Sequence, residues 1–142
     1  MSNSIETLLF LYKEQTEQAR HHEQQRATIT NYVLVVAGAA LGLLSIDGFS
    51  GNLPVGVFLI GLGIFGCIAS AKHYERNRYH SRMARAYRRK IEEVDANAKI
   101  DRDNVRDEQK SKFPVLEKLG LFRLWMLFHV FISALGLIII WL

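Results

Sequence analysis

Residues 27–46 read ATITNYVLVVAGAALGLLSI, twenty positions between Arg26 and Asp47 without an Asp, Glu, Lys or Arg. At about 1.5 Å per residue, a helix of this length crosses roughly the 30 Å hydrocarbon core of a bilayer. Residues 48–71 and 124–142, 24 and 19 positions, are equally free of charge. The charges lie between these runs: residues 72–118 carry 14 of the 18 basic and 9 of the 14 acidic side chains. A composition of 49% apolar and 23% charged residues in 142 suits an ordinary soluble domain on average, but segregation of this kind does not. The expected fold is an all-α integral membrane protein with three transmembrane helices, the first two forming a hairpin that extends into a cytoplasmic helical stalk.

The expected order is an N-terminal helix (1–26), a transmembrane helix (27–46), an external turn (47–52) and a second transmembrane helix (53–71). A stalk helix and return (72–113), an interfacial segment (114–123) and a third transmembrane helix (124–142) follow. The Gly-rich turn Asp47–Asn52 has no basic residue, and Pro54 falls in a first helical turn, where a missing N–H costs little. All 18 basic residues flank the spans on one side. The positive-inside rule then places the N-terminus and 72–123 in the cytoplasm and the C-terminus outside. Arg123, Trp125 and Trp141 are suited to anchor the third span at the two surfaces.

No helix stop separates residues 3–26 from the first span, and none separates the second span from the basic run after it. Asn3 with Glu6 can cap the first helix, whose apolar residues are Ile5, Leu8, Leu9 and Tyr12. Tyr79, Met83, Ala86, Tyr87, Ile91, Val94 and Ala98 form a stripe at 3–4 spacing on the second. Setting Arg26 opposite Lys72 brings Ile5–Tyr12 beside Ala86–Glu93, and Glu23, Glu17 and Glu14 beside the Arg76–Arg85 stretch. Residues 72–90 carry eight basic residues, Lys72, Arg76, Arg78, Arg82, Arg85, Arg88, Arg89 and Lys90, against one acid. This surplus suits anionic lipid headgroups first, then an acidic protein partner, then nucleic acid or a nucleotide. No DNA partner is expected. Pro114 begins an amphipathic segment, Val115–Phe122, suited to the inner membrane surface.

Groups that carry chemistry are sparse. The single Cys67 excludes a disulfide framework and a Cys-based zinc site. No phosphate-binding glycine loop, zinc-binding His pair or serine elbow occurs. Adjacent His21 and His22 point about 100° apart on a helix and do not converge on a metal. Arg123 and His129 match the loose spacing of HEPN ribonucleases and nothing more of that family. No enzyme activity, metal or cofactor is expected.

Within the spans, His129 is the one group that titrates near neutral pH, and Asn31 lies at similar depth in the first span. A hydrogen bond between them would clasp spans or subunits together, with a proton relay as the alternative. Gly38 and Gly42 form a small-residue pair on the first span, and Gly56, Gly63 and Ser70 recur every seven residues on the second, widened by Gly61 and Gly66. Either seam can serve packing within the chain or between copies, and homo-oligomerisation is expected to use them. Leu at Gly42 or Gly63 would then break assembly.

A polar helix with Tyr12-Lys-Glu-Gln-x-x-Gln-Ala-Arg20 running through Arg26 into a span, a short turn, a second span and a long basic helix resembles SLATT-type membrane effector domains. It is also similar to the small octameric membrane proteins that accompany some type VI CRISPR systems. The resemblance covers about residues 5–100 and is one of organisation, and the third span departs from the two-span plan. It implies a homo-oligomeric effector of anti-phage defence in the bacterial inner membrane, a multi-pass protein triggered by a defence-system partner or a nucleotide signal to permeabilise or depolarise that membrane. A membrane anchor or scaffold for a cytoplasmic partner, and a small ion or proton channel, are the other readings.

Overall fold

The computed structural model describes residues 2–46 and 50–142, apart from the side chains of Ser2, Asn3 and Glu117. The expected Asn3 cap and Asp47–Phe49 of the turn lie outside what is described. Among the described residues the secondary structure is all helical: α1 (Ser2–Leu43), α2 (Asn52–Val94), α3 (Arg102–Lys112) and α4 (Leu121–Trp141), with 3-10 turns at Ala96–Ala98 and Leu116–Lys118. Helices α1, α2 and α4 are each long and apolar enough to cross a membrane. Only 28, 33 and 22% of their most apolar stretches is buried, so most of that apolar surface faces outward, as a lipid-bathed protein requires.

Local chemistry sets the helix ends. Helix α1 closes in i→i−3 bonds, Leu44 N–H to Leu41 O and Ser45 N–H to Gly42 O, both 3.1 Å, which satisfy carbonyls the α-helix leaves open. Beyond α2, Asp95 accepts from Asn97 N–H at 3.0 Å, and Asp101 caps α3 by accepting from Asn104 N–H at 3.1 Å. The segment after Pro114 is a turn and a 3-10 turn, and α4 starts at Leu121; it is not one amphipathic helix over 115–122.

The chain divides into two compact units, residues 1–23 with 75–120, and residues 24–74 with 121–142. In the first, Asn77 Nδ2 donates to Ala19 O at 2.8 Å, and His80 Nδ1 meets Gln15 Oε1 at 2.8 Å. The His22 and His80 rings stack, with centroids 5.5 Å apart. The expected alignment sets Ala19 opposite Tyr79 and Gln15 opposite Met83, so the register differs by two to three residues. The buried face of α2 here is Ala84 and Ile91, with Asn77, His80, Tyr87 and Arg88 half-buried, while Tyr79 and Val94 are exposed. Of the expected stripe, Ile91 is buried and Met83, Ala86 and Tyr87 are half-buried, while Tyr79, Val94 and Ala98 are exposed; Asn77 and His80 add polar contacts to α1, and Glu17 pairs at 4.0 Å with Lys13 on its own helix.

In the second unit, Val33, Ala37 and Ala40 of α1, Val55 and Leu59 of α2, and Ile132 and Ile139 of α4 form one buried cluster. Helices α2 and α4 touch backbone to backbone. A Cβ on Gly63 would stand 2.6 Å from His129 O, one on Gly136 2.9 Å from Ile60 N, and one on Gly56 2.6 Å from Gly136 O. Ser133 Oγ donates to Ile60 O at 3.3 Å across the same contact. Such close approach lets small residues associate where water is absent and apolar burial gives no drive.

Gly61, by contrast, has nothing within 4 Å of a Cβ position among the described residues. Gly61→Ala should be neutral or slightly stabilising, since Ala is the better helix former. Gly63→Ala should cost about 1–3 kcal/mol through overpacking. Thermal unfolding of the two variants in one detergent checks the difference.

Candidate functional site

Two groupings of side chains stand out, one in each unit. The first is a buried polar knot in the apolar unit. His129 and Ser70 are fully buried and Thr30 is 4% exposed. His129 Nε2 lies 3.2 Å from Thr30 Oγ1 and 3.1 Å from Ser70 Oγ, so one imidazole nitrogen joins α1, α2 and α4. Thr30 Oγ1 also donates to Arg26 O at 3.0 Å, which commits its proton. The Thr30 contact therefore needs the proton on Nε2, the tautomer inferred here from the network, with Ser70 as a second acceptor. Nδ1 is buried without a partner and is left as a bare lone pair, cheaper to bury than a stranded N–H.

The room for this ring comes from Gly66: a Cβ there would overlap Nδ1, Cε1 and Cγ of His129. One turn along α1, the guanidinium of the buried Arg26 stands 6.0 Å from the Tyr74 ring centre, and Tyr74 stacks on Phe122 at 4.1 Å.

The α1 partner of His129 is Thr30, and Asn31 is exposed. Equal depth does not mean equal azimuth: one residue turns the helix about 100°, and the buried face of α1 runs Arg26, Thr30, Val33, Ala37, Ala40. The contact joins helices of one chain, and Nδ1 is buried without a hydrogen-bond partner among the described residues. The α2 seam of Gly56, Gly63 and Ser70 is taken up by α4 of the same chain, whereas Gly38 and Gly42 meet nothing within 4 Å among the described residues. Gly63→Leu therefore strikes the fold of the single chain before any assembly.

The second grouping is a cleft of about 630 Å³ in the other unit, lined by Arg78, Arg82, Arg85, Arg88, Arg89 and Arg102. Five come from α2 and the sixth from the first residue of α3. Glu92 holds the arrangement together: Arg102 Nη2 pairs with its Oε1, and Arg88 Nε lies 3.8 Å from the same oxygen. Arg85 Nε donates to Ser81 O at 3.2 Å. The Nε atoms of Arg88 and Arg102 are buried without a hydrogen-bond acceptor. Lys72, Arg76 and Lys90, in the same basic run, do not line the cleft. The share of Arg102 was hidden in the sequence, because a turn and a 3-10 helix separate it from the run it completes.

Among the described residues no group of three or more His, Cys, Asp or Glu could hold a metal ion. Replacing His129 with Phe and Ser70 with Ala, singly and together, should give a coupling energy near the ~0.6 kcal/mol typical of hydrogen bonds between membrane helices, with about 1.7 as the ceiling. Unfolding in mixed micelles measures it. No known protein family, curated protein or solved structure matches the chain.

Proposed function

We propose that the protein is a homo-oligomeric inner-membrane effector of bacterial anti-phage defence, which permeabilises or depolarises the membrane when triggered through its cytoplasmic helices. The observation that carries this reading is the face of α1 formed by Asn31, Val35, Gly38, Gly42 and Ser45. All five residues are exposed, and they recur at alternating spacings of four and three. The two glycines have open space where a Cβ would stand. An Asn facing lipid alone is costly, and a helix from a second copy can supply both the close packing the glycines permit and a hydrogen bond for the amide.

The trigger route rests on chain continuity. Helices α1 and α2 each contribute residues to both compact units without a break. A ligand or partner bound by residues 75–120 thus acts on the same two helices that span the bilayer in this reading. The N-terminus and residues 72–123 then lie in the cytoplasm, α1 and α2 form a transmembrane hairpin prolonged as a stalk, and the protein works without enzymatic chemistry. The charge bias of the flanking segments and the resemblance in organisation to SLATT-type effectors support this.

A second reading has its own support. Ile100, Val105, Phe113, Val115 and Leu116 are all exposed on an otherwise polar stretch, a surface suited to a cytoplasmic protein. A scaffold that tethers such a partner needs no pore.

Gly38→Leu and Asn31→Leu should lower the oligomer mass measured by light scattering in detergent while leaving the melting temperature within a few degrees of wild type. In cells, a membrane-potential dye should report depolarisation on phage challenge with wild type and little with Gly38→Leu. An unchanged mass for both variants would refute the α1 interface. An intact potential in challenged wild-type cells would favour the scaffold.

A further inference from the structure

We propose that the arginine cleft is a binding site for a soluble anion carrying several linked phosphates, recognised through its phosphate chain and not through a base. Six guanidiniums line the cleft, and Glu92 pairs with two of them, Arg88 and Arg102. Like charges gathered this way repel one another, and a multivalent anion relieves the repulsion by bridging them. Arginine is the side chain whose planar fork matches phosphate oxygens two at a time.

Four of the six arginines are exposed on α2, and Arg88 and Arg102 are half-buried. Arg78, Arg82, Arg85 and Arg89 follow helical spacing on one face of α2, and Arg102 is brought to them from α3 by its ion pair with Glu92. The side chain of Glu92 is only 13% exposed, so it holds Arg88 and Arg102 in place as a fixed strut. A volume of about 630 Å³ lies inside the roughly 300–1,000 Å³ range of small-molecule sites.

The lining residues also say what is not recognised. None is aromatic, so no ring offers a base a stacking surface, and none is an aliphatic residue. A single phosphate would engage only part of the ring of arginines. A chain of linked phosphates, whether inorganic or carried by a nucleotide, has oxygens enough to engage several of the arginines at once. The inference takes its consequence, a trigger, from the effector reading, but the binding itself stands apart from it.

The test uses the full-length protein in nanodiscs of neutral phosphatidylcholine, titrated calorimetrically with inorganic tripolyphosphate, ATP, GTP and orthophosphate. Tripolyphosphate, ATP and GTP should bind with dissociation constants within about threefold of one another, and orthophosphate at least about a hundredfold more weakly. Arg82→Ala and Arg89→Ala should each weaken tripolyphosphate about tenfold, and Arg76→Ala, outside the cleft, should leave it unchanged. Should an alanine variant fail to fold, Arg82→Lys keeps the charge without the fork and should still weaken binding.

No heat with tripolyphosphate, or equal affinity in the Arg82 and Arg89 variants, would overturn the assignment. A strong preference for ATP over GTP and tripolyphosphate would overturn its indifference to the base. Nanodiscs containing cardiolipin provide the lipid arm: if cardiolipin abolishes tripolyphosphate binding at physiological salt, the cleft serves headgroups and the soluble ligand is wrong. Tight tripolyphosphate binding in a protein that never depolarises cells would keep this site and remove the pore.

Discussion

The His129 ring occupies the space left by the missing side chain of Gly66, and the packing of the apolar unit follows from that fit. In a medium without water, apolar contact alone does not favour one helix pairing over another, because lipid tails offer the same contact. What distinguishes pairings is shape and hydrogen bonding, and this unit uses both at one level. Gly56, Gly63 and Gly66 bring α2 against α4, and the imidazole then reaches hydroxyls on α1 and α2 from that position. Glycines inside helices each lose roughly 0.5–1 kcal/mol relative to alanine, so a seam of them is sustained only by close backbone contact.

The buried positions repeat with a period near 3.5 in both units. On α2 they run Gly56, Leu59, Gly63, Gly66 and Ser70 in one unit, and Ala84 and Ile91 in the other. The period belongs to helices that keep a constant side toward a neighbour, as in coiled coils. Composition along it changes with surroundings. In the apolar unit the face is glycine, alanine and branched aliphatics closed by one polar knot; in the other it takes Asn77, His80 and Gln15, whose exposed edges water can serve.

The number and nature of the long helices were legible because charge avoidance over twenty residues has one common physical cause. Aspartates 95 and 101 cap helix starts in the structure, but the sequence did not single them out. Azimuth was not legible. Asn31 and Thr30 share a depth, and only packing decides which of them faces inward; Tyr79 and Val94 look like members of a buried stripe until Asn77, His80 and Ala84 are seen to occupy that side. A glycine seam carries no label for its partner, so Gly56 and Gly63 could equally have met another copy of the chain. The basic run of 72–90 was plain, but its division into a cleft and a remainder depended on Arg102, which reaches the others only through Glu92.

The chain's one thiol, Cys67, is half-buried and follows directly on Gly66. Within these 142 residues the thiol is a single handle beside the close contact of α2 with His129. A nitroxide or an environment-sensitive fluorophore attached there would watch that contact without any engineered cysteine, and paired labels in an assembly would give inter-copy distances from the same position in every copy.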